Sequence, residues 1–486
     1  MSISSALANA LTGLTANSRM AETVSTNLAN ALNERFAKRD VVLSSVSLNG
    51  RGGGVRVDGV SRAADPAATG LRRAADASLA AGTALADARG ALLGAFGRPD
   101  DPGGLPARLS GFETAMVAAS NNPGSATHLV DAVEAAKRLA DTVNRIAAGI
   151  QTLRSDSDGE IARQVEALNR SLEEIENLNR DIAVFSLTGR DTGALEDRRA
   201  ELVDKVARIV PVKTVRRENN SVALFTVNGG TLLNGKASLF AFSANPTITE
   251  AMTVQNGALG LVSLAGQPVG SNLPGHFLEG GSLGAHLQIR DAIAPRATEL
   301  IDGFARDLVG RFEAAGVDPT LPPGAPGLFT DAGAAFDPAL ETGLAGRLSV
   351  NALADPDAGG AVWQLRDGLG AAVPGPVGNN AILLSLTAAL AEHAVPASGL
   401  PSAGALSAAE FAAAAVSAMA SAAHEAENEQ IAGAARAGAL REAELAVLGV
   451  DSDAELQNLI MVEQNYAANA RVIAAADGML QKLLEM

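Results

Sequence analysis

The residues best suited to chemistry in this sequence are a serine and a histidine four positions apart. Gly280-Gly-Ser282-Leu-Gly284 matches the G-x-S-x-G elbow that exposes a nucleophilic serine in hydrolases, and His286 follows it. That elbow needs a strand before it, and a histidine with a carboxylate partner much further along the chain. Here a Gly-rich loop comes first, so the segment reads as a loop opening a helix with Ser282 as its N-cap. A hydrolase using Ser282 stays as a remote alternative. Gly50-Arg-Gly-Gly-Gly54 lacks the Lys-Ser/Thr of a P-loop and reads as a turn between short strands. His424-Glu425 has no second histidine one turn later, which removes the zinc-protease pair. Asp156, Asp158 and Glu160 lack the calcium-loop spacing and suit the first turn of a helix, where negative charge is favoured. With no cysteine and five scattered histidines (His128, His276, His286, His393, His424), the expectation is a non-enzyme with no catalytic residue, cofactor or metal.

Composition narrows the partners. Across 486 residues, 38 Lys plus Arg against 54 Asp plus Glu leave a formal charge of −16, which argues against nucleic acid. The most apolar stretches, 381–391 and 411–423, are closed by Glu392 and by His424 and Glu425, short of the roughly 20 residues a bilayer requires. No basic residue precedes Arg19, so the charged start of a secretory signal is missing as well. Aromatics make up only 3 %, with Trp363 and Tyr466 the single members of their types, while alanine is abundant. That composition suits long, closely packed helices.

Helices of that kind are legible at both ends. Ile3, Leu7, Ala10, Leu14, Asn17, Ala21, Val24, Leu28 and Ala31 recur at 4-3-4-3 spacing, which is a heptad seam. Leu456, Leu459, Glu463, Tyr466, Ala470, Ile473, Asp477, Leu480 and Leu484 form a second, and Ser452-Asp-Ala-Glu455 before it reads as a capping box. The first 40 residues hold four basic and three acidic side chains and residues 451–486 hold two and six, so the ends carry +1 against −4. Two seams of matched length suggest that the ends pair. Asn17, Glu463 and Asp477 then lie at the solvated edge of the stripe or fix its register at a cost in stability.

Between the ends, residues 67–154 read as Ala-rich helices broken at 97–104 and 121–124. A second capping box, Ser157-Asp-Gly-Glu160, opens a stripe from Ile161 to Phe185, and residues 195–209 form one more helix stopped by Pro211. From 212 to 287, short apolar runs separated by Asn-Gly signal strands and hairpins. Helix returns at 282–315. Residues 316–380 are Gly- and Pro-rich with candidate strands at 348–353 and 361–365, and Ser407-Ala-Ala-Glu410 caps a last Ala-rich helix. The expected fold class is mainly α with an inserted β-rich module, an α+β multidomain chain whose terminal helices form a coiled coil beside a central helical bundle. The expected units are 1–36 with 450–486 for polymerisation, 37–211 with 282–315 and 381–449 as the helical domain, and 212–281 as the outer β-module, with 316–380 a further candidate part of it.

Read side by side, the ends resemble the flagellar axial proteins of rod, hook and hook-associated type. The carriers are Ala6-Leu-Ala-Asn-Ala-Leu-Thr-Gly-Leu14, Val24-Ser-Thr-Asn-Leu-Ala-Asn30, residues 450–460, Glu463-Gln-Asn-Tyr-Ala-Ala-Asn-Ala-Arg471 and Ala476-Asp-Gly-Met-Leu480. The middle resembles the hook-associated branch through Phe112 with Asn122-Pro123, Val165-Glu-Ala-Leu-Asn169, Ile175-Glu-Asn-Leu-Asn179, Leu195-Glu-Asp-Arg-Arg-Ala-Glu-Leu-Val-Asp204 and Gly281-Ser-Leu-Gly-Ala-His-Leu-Gln-Ile-Arg-Asp291. One departure is Leu32-Asn-Glu-Arg-Phe-Ala-Lys-Arg39, where the family usually has Thr-x-Gly-Tyr before a basic residue and Phe36 takes the tyrosine's place. The resemblance implies a structural subunit of the bacterial flagellum joining hook to filament. It also implies extracellular location after type III export without a cleaved signal. The implied partners are other copies of itself in a ring or helical assembly, the hook subunit, hook-associated protein 3, and an export chaperone on the C-terminal helix, with no membrane insertion. A hook or distal-rod subunit is the alternative within the family, and a non-flagellar scaffold lies outside it. The expected interface comprises Ile3, Leu7, Leu14, Val24, Asn27, Leu28, Asn30, Leu456, Leu459, Tyr466, Ile473, Leu480 and Leu484, with an ordinary intramolecular coiled coil as the plainer reading of the same residues.

Overall fold

The structure, a computed structural model, describes residues 3–48, 51–98, 100–188, 190–269, 278–400 and 404–485. His276 lies outside them. In chain order the elements are α1 (Ile3–Ala29), the strands β1 (Arg39–Leu48) and β2 (Arg51–Arg62), then α2 (Pro66–Phe96), α3 (Leu105–Asn121), α4 (Ala126–Leu187) and α5 (Gly193–Ile209). Strands β3 (Val212–Arg216), β4 (Val222–Thr226), β5 (Thr231–Asn234), β6 (Lys236–Ala237), β7 (Phe240–Ala241), β8 (Val262–Leu264) and β9 (Gln267–Val269) follow. Then come α6 (Gly281–Gln288), α7 (Ala294–Glu313), β10 (Phe329–Asp331), α8 (Leu344–Arg347), β11 (Leu348–Val350), α9 (Trp363–Asp367), α10 (Ala381–Ala391), α11 (Ala408–Leu448) and α12 (Ser452–Leu484). The chain is mainly α-helical with small antiparallel sheets: β1-β2, β3-β4-β5-β6, β7-β8-β9 and β10-β11. Among the described residues no helix is long and apolar enough to cross a membrane.

Local chemistry explains most helix ends. Asp65 accepts from the amides of Ala67 and Ala68 while Pro66 opens α2, and Ser125 caps α4. At α11 the capping box closes in both directions, with Ser407 Oγ accepting from Glu410 N and the Glu410 carboxylate accepting from Ser407 N. The breaks at 97–104 and 121–124 fall between helices as expected.

Several expectations are corrected. The apparent box at Ser157 starts nothing, because α4 runs unbroken for 62 residues, about 93 Å. Ser157 and Asp158 are buried in its middle, where Ile150 and Ile161 continue the apolar stripe on either side. Residues 39–62, counted above with the helical unit, form a β-hairpin whose strands are 10 and 12 residues long. Gly54 lies inside β2, where φ is +92° and an added Cβ would strike Thr12 of α1, so this glycine serves close approach as well as turning. Residues 363–367 are a helical turn rather than a strand. Of the other candidate strand, only Leu348–Val350 pairs, with Phe329–Asp331.

Buried apolar residues fall into two separate clusters. The first joins α3, α7, α10, α11, the N-terminal part of α4 and the 317–369 segment. At its centre Phe112, Phe312 and Phe329 meet with ring centroids 5.4 to 6.2 Å apart, and Phe304 lies edge-on to Phe411 at 5.7 Å. The second joins Ile161, Leu168 and Leu172 of α4 and Leu202 and Val206 of α5 to Leu224, Leu233 and Val262 of the strands and Leu283 of α6.

Candidate assembly interface

Helix α1 lies between α12 on one side and the β1-β2 hairpin on the other. An added Cβ on Gly13 would come within 2.7 Å of the Asn469 side chain, and Asn27 hydrogen-bonds Glu455. Going from 13 to 27 on one helix therefore runs from 469 to 455 on the other, so the pair is antiparallel. On α1, Ala10, Asn17, Val24 and Asn27 are buried, while Ile3, Leu7, Leu14, Leu28 and Asn30 are half-buried.

On α12 the inward stripe differs from the seam read in the sequence. Glu455, Val462 and Ala476 are buried, and Leu459, Asn469 and Ile473 are half-buried. Leu456, Tyr466 and Leu480 are exposed, and Leu484 is 88 % exposed. Leu459 and Ile473 are thus shared, but the intervening contacts move one residue earlier, from 456, 463, 470 and 477 to 455, 462, 469 and 476. Glu455, Asn469 and Ala476 face α1 along with Leu459, Val462 and Ile473, and Leu456, Ile460, Met461, Val472, Met479, Leu480 and Leu483 are exposed on the remainder of the helix. Of the three polar seam residues, Glu463 and Asp477 are solvated, whereas Asn17 is buried with its amide nitrogen unpartnered.

The root of the pair is polar and built from three elements. Asn27 is 1 % exposed; its Nδ2 donates to Arg39 O at 2.8 Å and to Glu455 Oε2 at 3.2 Å, and its Oδ1 accepts from Arg39 N at 3.0 Å. Lys38 Nζ pairs with Glu455 Oε1 at 3.2 Å, and its backbone N–H donates to Leu448 O at 2.9 Å. Glu455, also 1 % exposed, is therefore turned inward and does not close a capping box; α12 is capped by Asp451, which accepts from Asp453 N and Ala454 N.

Helix α5 grips the hairpin and α2. Asp197 binds Arg39 at 3.1 Å and Arg62 at 2.6 Å, Glu201 binds Arg35 at 2.9 Å, and Asp204 binds Arg72 at 2.9 Å and Arg73 at 2.6 Å. Arg72 also reaches Asp76 and Glu444; burial alone lowers its pKa, and the three carboxylates more than reverse that. Hydrogen bonding from Lys205 holds the Glu201 carboxyl below its ordinary range, with Arg198 adding to it against slight burial. Burial pushes the Arg199 guanidinium down to about 10 while it donates to Asn179 and to the Asn220 carbonyl. Phe36 is buried under the Arg39 guanidinium, 4.8 Å from the ring centroid. The sequence patterns included Lys38 and Asp197 only within family motifs and read Glu455 as a capping-box residue, and they passed over Arg62; none of the four was read as part of this polar root.

Elsewhere, Ser282 lies within α6 rather than capping it, since Gly280 holds the cap position, and its hydroxyl donates to Gln164 Oε1 at 3.0 Å. Burial lowers the His286 pKa. Among the described residues, three carboxylates close enough to share a metal ion occur at Glu134, Asp355 and Asp357, and the Lys137 ammonium already contacts all three at 2.6 to 3.3 Å.

The family described as flagellar hook-associated protein FlgK helical domain matches residues 95–320, which span α3 to α7. The family described as flagellar basal body rod FlgEFG protein C-terminal matches residues 445–486, which include α12 and Glu455. Over these two segments the chain is similar to flagellar hook-associated and basal body rod proteins. Flagellar hook-associated protein 1 of Bacillus subtilis (strain 168) is 25 % identical over 283 residues, 53 % of this chain and 54 % of that protein. The chain thus spans about half the length of the curated relative it matches. The solved flagellar hook junction protein FlgK from Burkholderia pseudomallei has a TM-score of 0.44 at 20 % identity, covering 54 % of this chain and 46 % of that one.

Proposed function

We propose that this chain is a structural, non-catalytic subunit that joins hook to filament in the bacterial flagellum, and that it assembles through its terminal helices. The observation that carries the reading is the number of large apolar residues left exposed on α12, a helix that α1 covers along one stripe alone. Monomeric proteins seldom leave so much apolar surface uncovered. In this reading nine of the thirteen interface residues named above act at two surfaces. Val24, Asn27, Leu28, Leu459 and Ile473 hold α1 to α12, and Leu456, Tyr466, Leu480 and Leu484 meet neighbouring subunits. The polymerisation unit is 1–36 with 450–486. The helical body packs laterally and the β-rich module faces outwards. The hook subunit and hook-associated protein 3 are the neighbours, and an export chaperone covers the C-terminal helix before secretion through the flagellar type III apparatus.

The hairpin directly after α1 favours a second reading, a hook or distal-rod subunit; the match over 95–320 favours the junction. Electron microscopy of cells lacking the gene, with filament protein assayed in the medium, separates them. Bare hooks with secreted, unpolymerised filament subunits are expected. Missing hooks would move the protein to the rod or hook, and normal filaments would end the flagellar reading.

A further inference from the structure

Helices α4 and α6–α7 both run through the two apolar cores, and between the cores their packing changes character. On α4 the first core ends at Ile150 with Leu153 against it and the second begins at Ile161; on the other helix the second ends at Leu287 and the first begins at Ala294. The gap is filled by Arg154, Asp158 and Arg290, each at most 2 % exposed, together with Asp291. Arg290 Nη1 donates to Asp158 Oδ1 at 2.7 Å and to Gly260 O at 3.2 Å, while its Nε and Nη2 hold Asp291 at 2.7 and 2.9 Å. Arg154 donates to Arg290 O at 3.0 Å, to Thr249 O at 3.1 Å and to Met252 O. Asp158 Oδ2 accepts from Asn245 N at 2.7 Å.

A second, independent feature falls at the same level. Over Ile289–Ile293 the helix is a π-turn, with Ala294 N donating to Ile289 O. Pro295 has no N–H to return to Asp291 O, and widening the turn accommodates that lost bond. π-turns and prolines are where long helices bend. Apolar interdigitation locks a core in one arrangement because shifting it opens voids. Charged groups instead bond along fixed directions, contributing little net stability while selecting among arrangements.

We infer that this charged waist is a joint: its hydrogen bonds set the angle between the two cores, and its π-turn is where that angle changes. On the flagellar reading, on which the test below does not depend, the joint lets the outer module tilt while the terminal helices keep their contacts.

The absence of cysteine makes the test direct. Spin labels on Ser110→Cys in α3 and Arg208→Cys in α5, both exposed, report the distance between the cores by pulsed EPR. A narrow distribution is expected in the labelled parent. Arg154→Met and Arg290→Met with Asp158→Leu and Asp291→Asn remove all four charged groups together, two of each sign, so no charge of the network is left unpaired. The combined variant should at least double the width of the distribution while Trp363 emission and helix content stay unchanged. Should that variant fail to fold, Arg154→Lys keeps the charge but loses the three-carbonyl grip, and a measurable broadening is expected there. Ile301→Val, a packing change within the first core, should leave the width as it is. An unchanged width in a folded waist variant, or equal broadening in Ile301→Val, would overturn the inference.

Discussion

In the helical body the residues removed from water are rings and branched chains: Phe112, Phe304, Phe312, Phe329 and Phe411 have essentially no exposed surface. In α12 the buried residues are Glu455, Val462 and Ala476, while Leu456, Met461, Met479, Leu480, Leu483 and Leu484 are exposed. Both regions use amphipathic helices, yet one buries its large apolar residues within the chain and the other leaves many of them exposed. The difference teaches that a heptad stripe identifies an apolar surface without saying which molecule will cover it.

The sharpest way to break the comparison is to empty the body's core. Phe304→Ala should cost about 3–5 kcal/mol in urea unfolding followed by Trp363 fluorescence; a loss below about 1 kcal/mol would mean the body is no better packed than the termini. Next comes the root. Glu455→Ala removes the Lys38 ion pair and one of the two acceptors of the Asn27 amide, an expected loss of about 1–3 kcal/mol, kept in that range because Lys38 is partly solvated and the amide keeps its bond to Arg39 O. Amide exchange should rise in α12 more than in α4, and uniform acceleration would show that the root belongs to the body.

A pH series tests the body alone. Burial raises the Asp302 pKa to about 6 even though the amides of Ala345 and Gly343 donate to its carboxylate. Between the ordinary aspartate value and about 6, the folded chain keeps a proton that the unfolded chain has released. The stabilisation from that proton is complete below the ordinary value and is lost as pH rises through about 6, with a slope of at most about 1.4 kcal/mol per pH unit. Asp302→Asn should flatten this slope, and an unaltered profile would assign it to another group. The smallest expected effect sharpens the contrast most. Leu456→Ala or Leu480→Ala should change monomer stability by no more than about 0.5 kcal/mol and yet fail to restore filaments in a deletion strain. Full restoration would leave these exposed residues without an assembly role.

How much was legible depended on the range of the signal. Ser407 with Glu410, the Asn-Gly turns and the breaks at 97–104 and 121–124 act through neighbouring residues, and they read correctly. Ser157-Asp-Gly-Glu160 carries the same local pattern as a cap, but the continuing stripe and the buried Arg290 outweigh it. A turn between strands was read at 50–54, but not the length of the hairpin over 39–62 or its seat on α1, which depends on contact at Gly54 and Thr12. Residues 363–367 coil rather than extend, with Leu365 buried in the first core.

The sequence by itself determined the mainly helical class, the two amphipathic ends and the β-rich insertion, because periodicity and turn chemistry are local properties. Tertiary structure alone decided which stripe of α12 faces α1. Close antiparallel approach favours alanine, valine and asparagine over leucine, and Glu455 needs partners 428 and 417 residues away at Asn27 and Lys38. No local spacing encodes a hydrogen bond across such a distance in the chain.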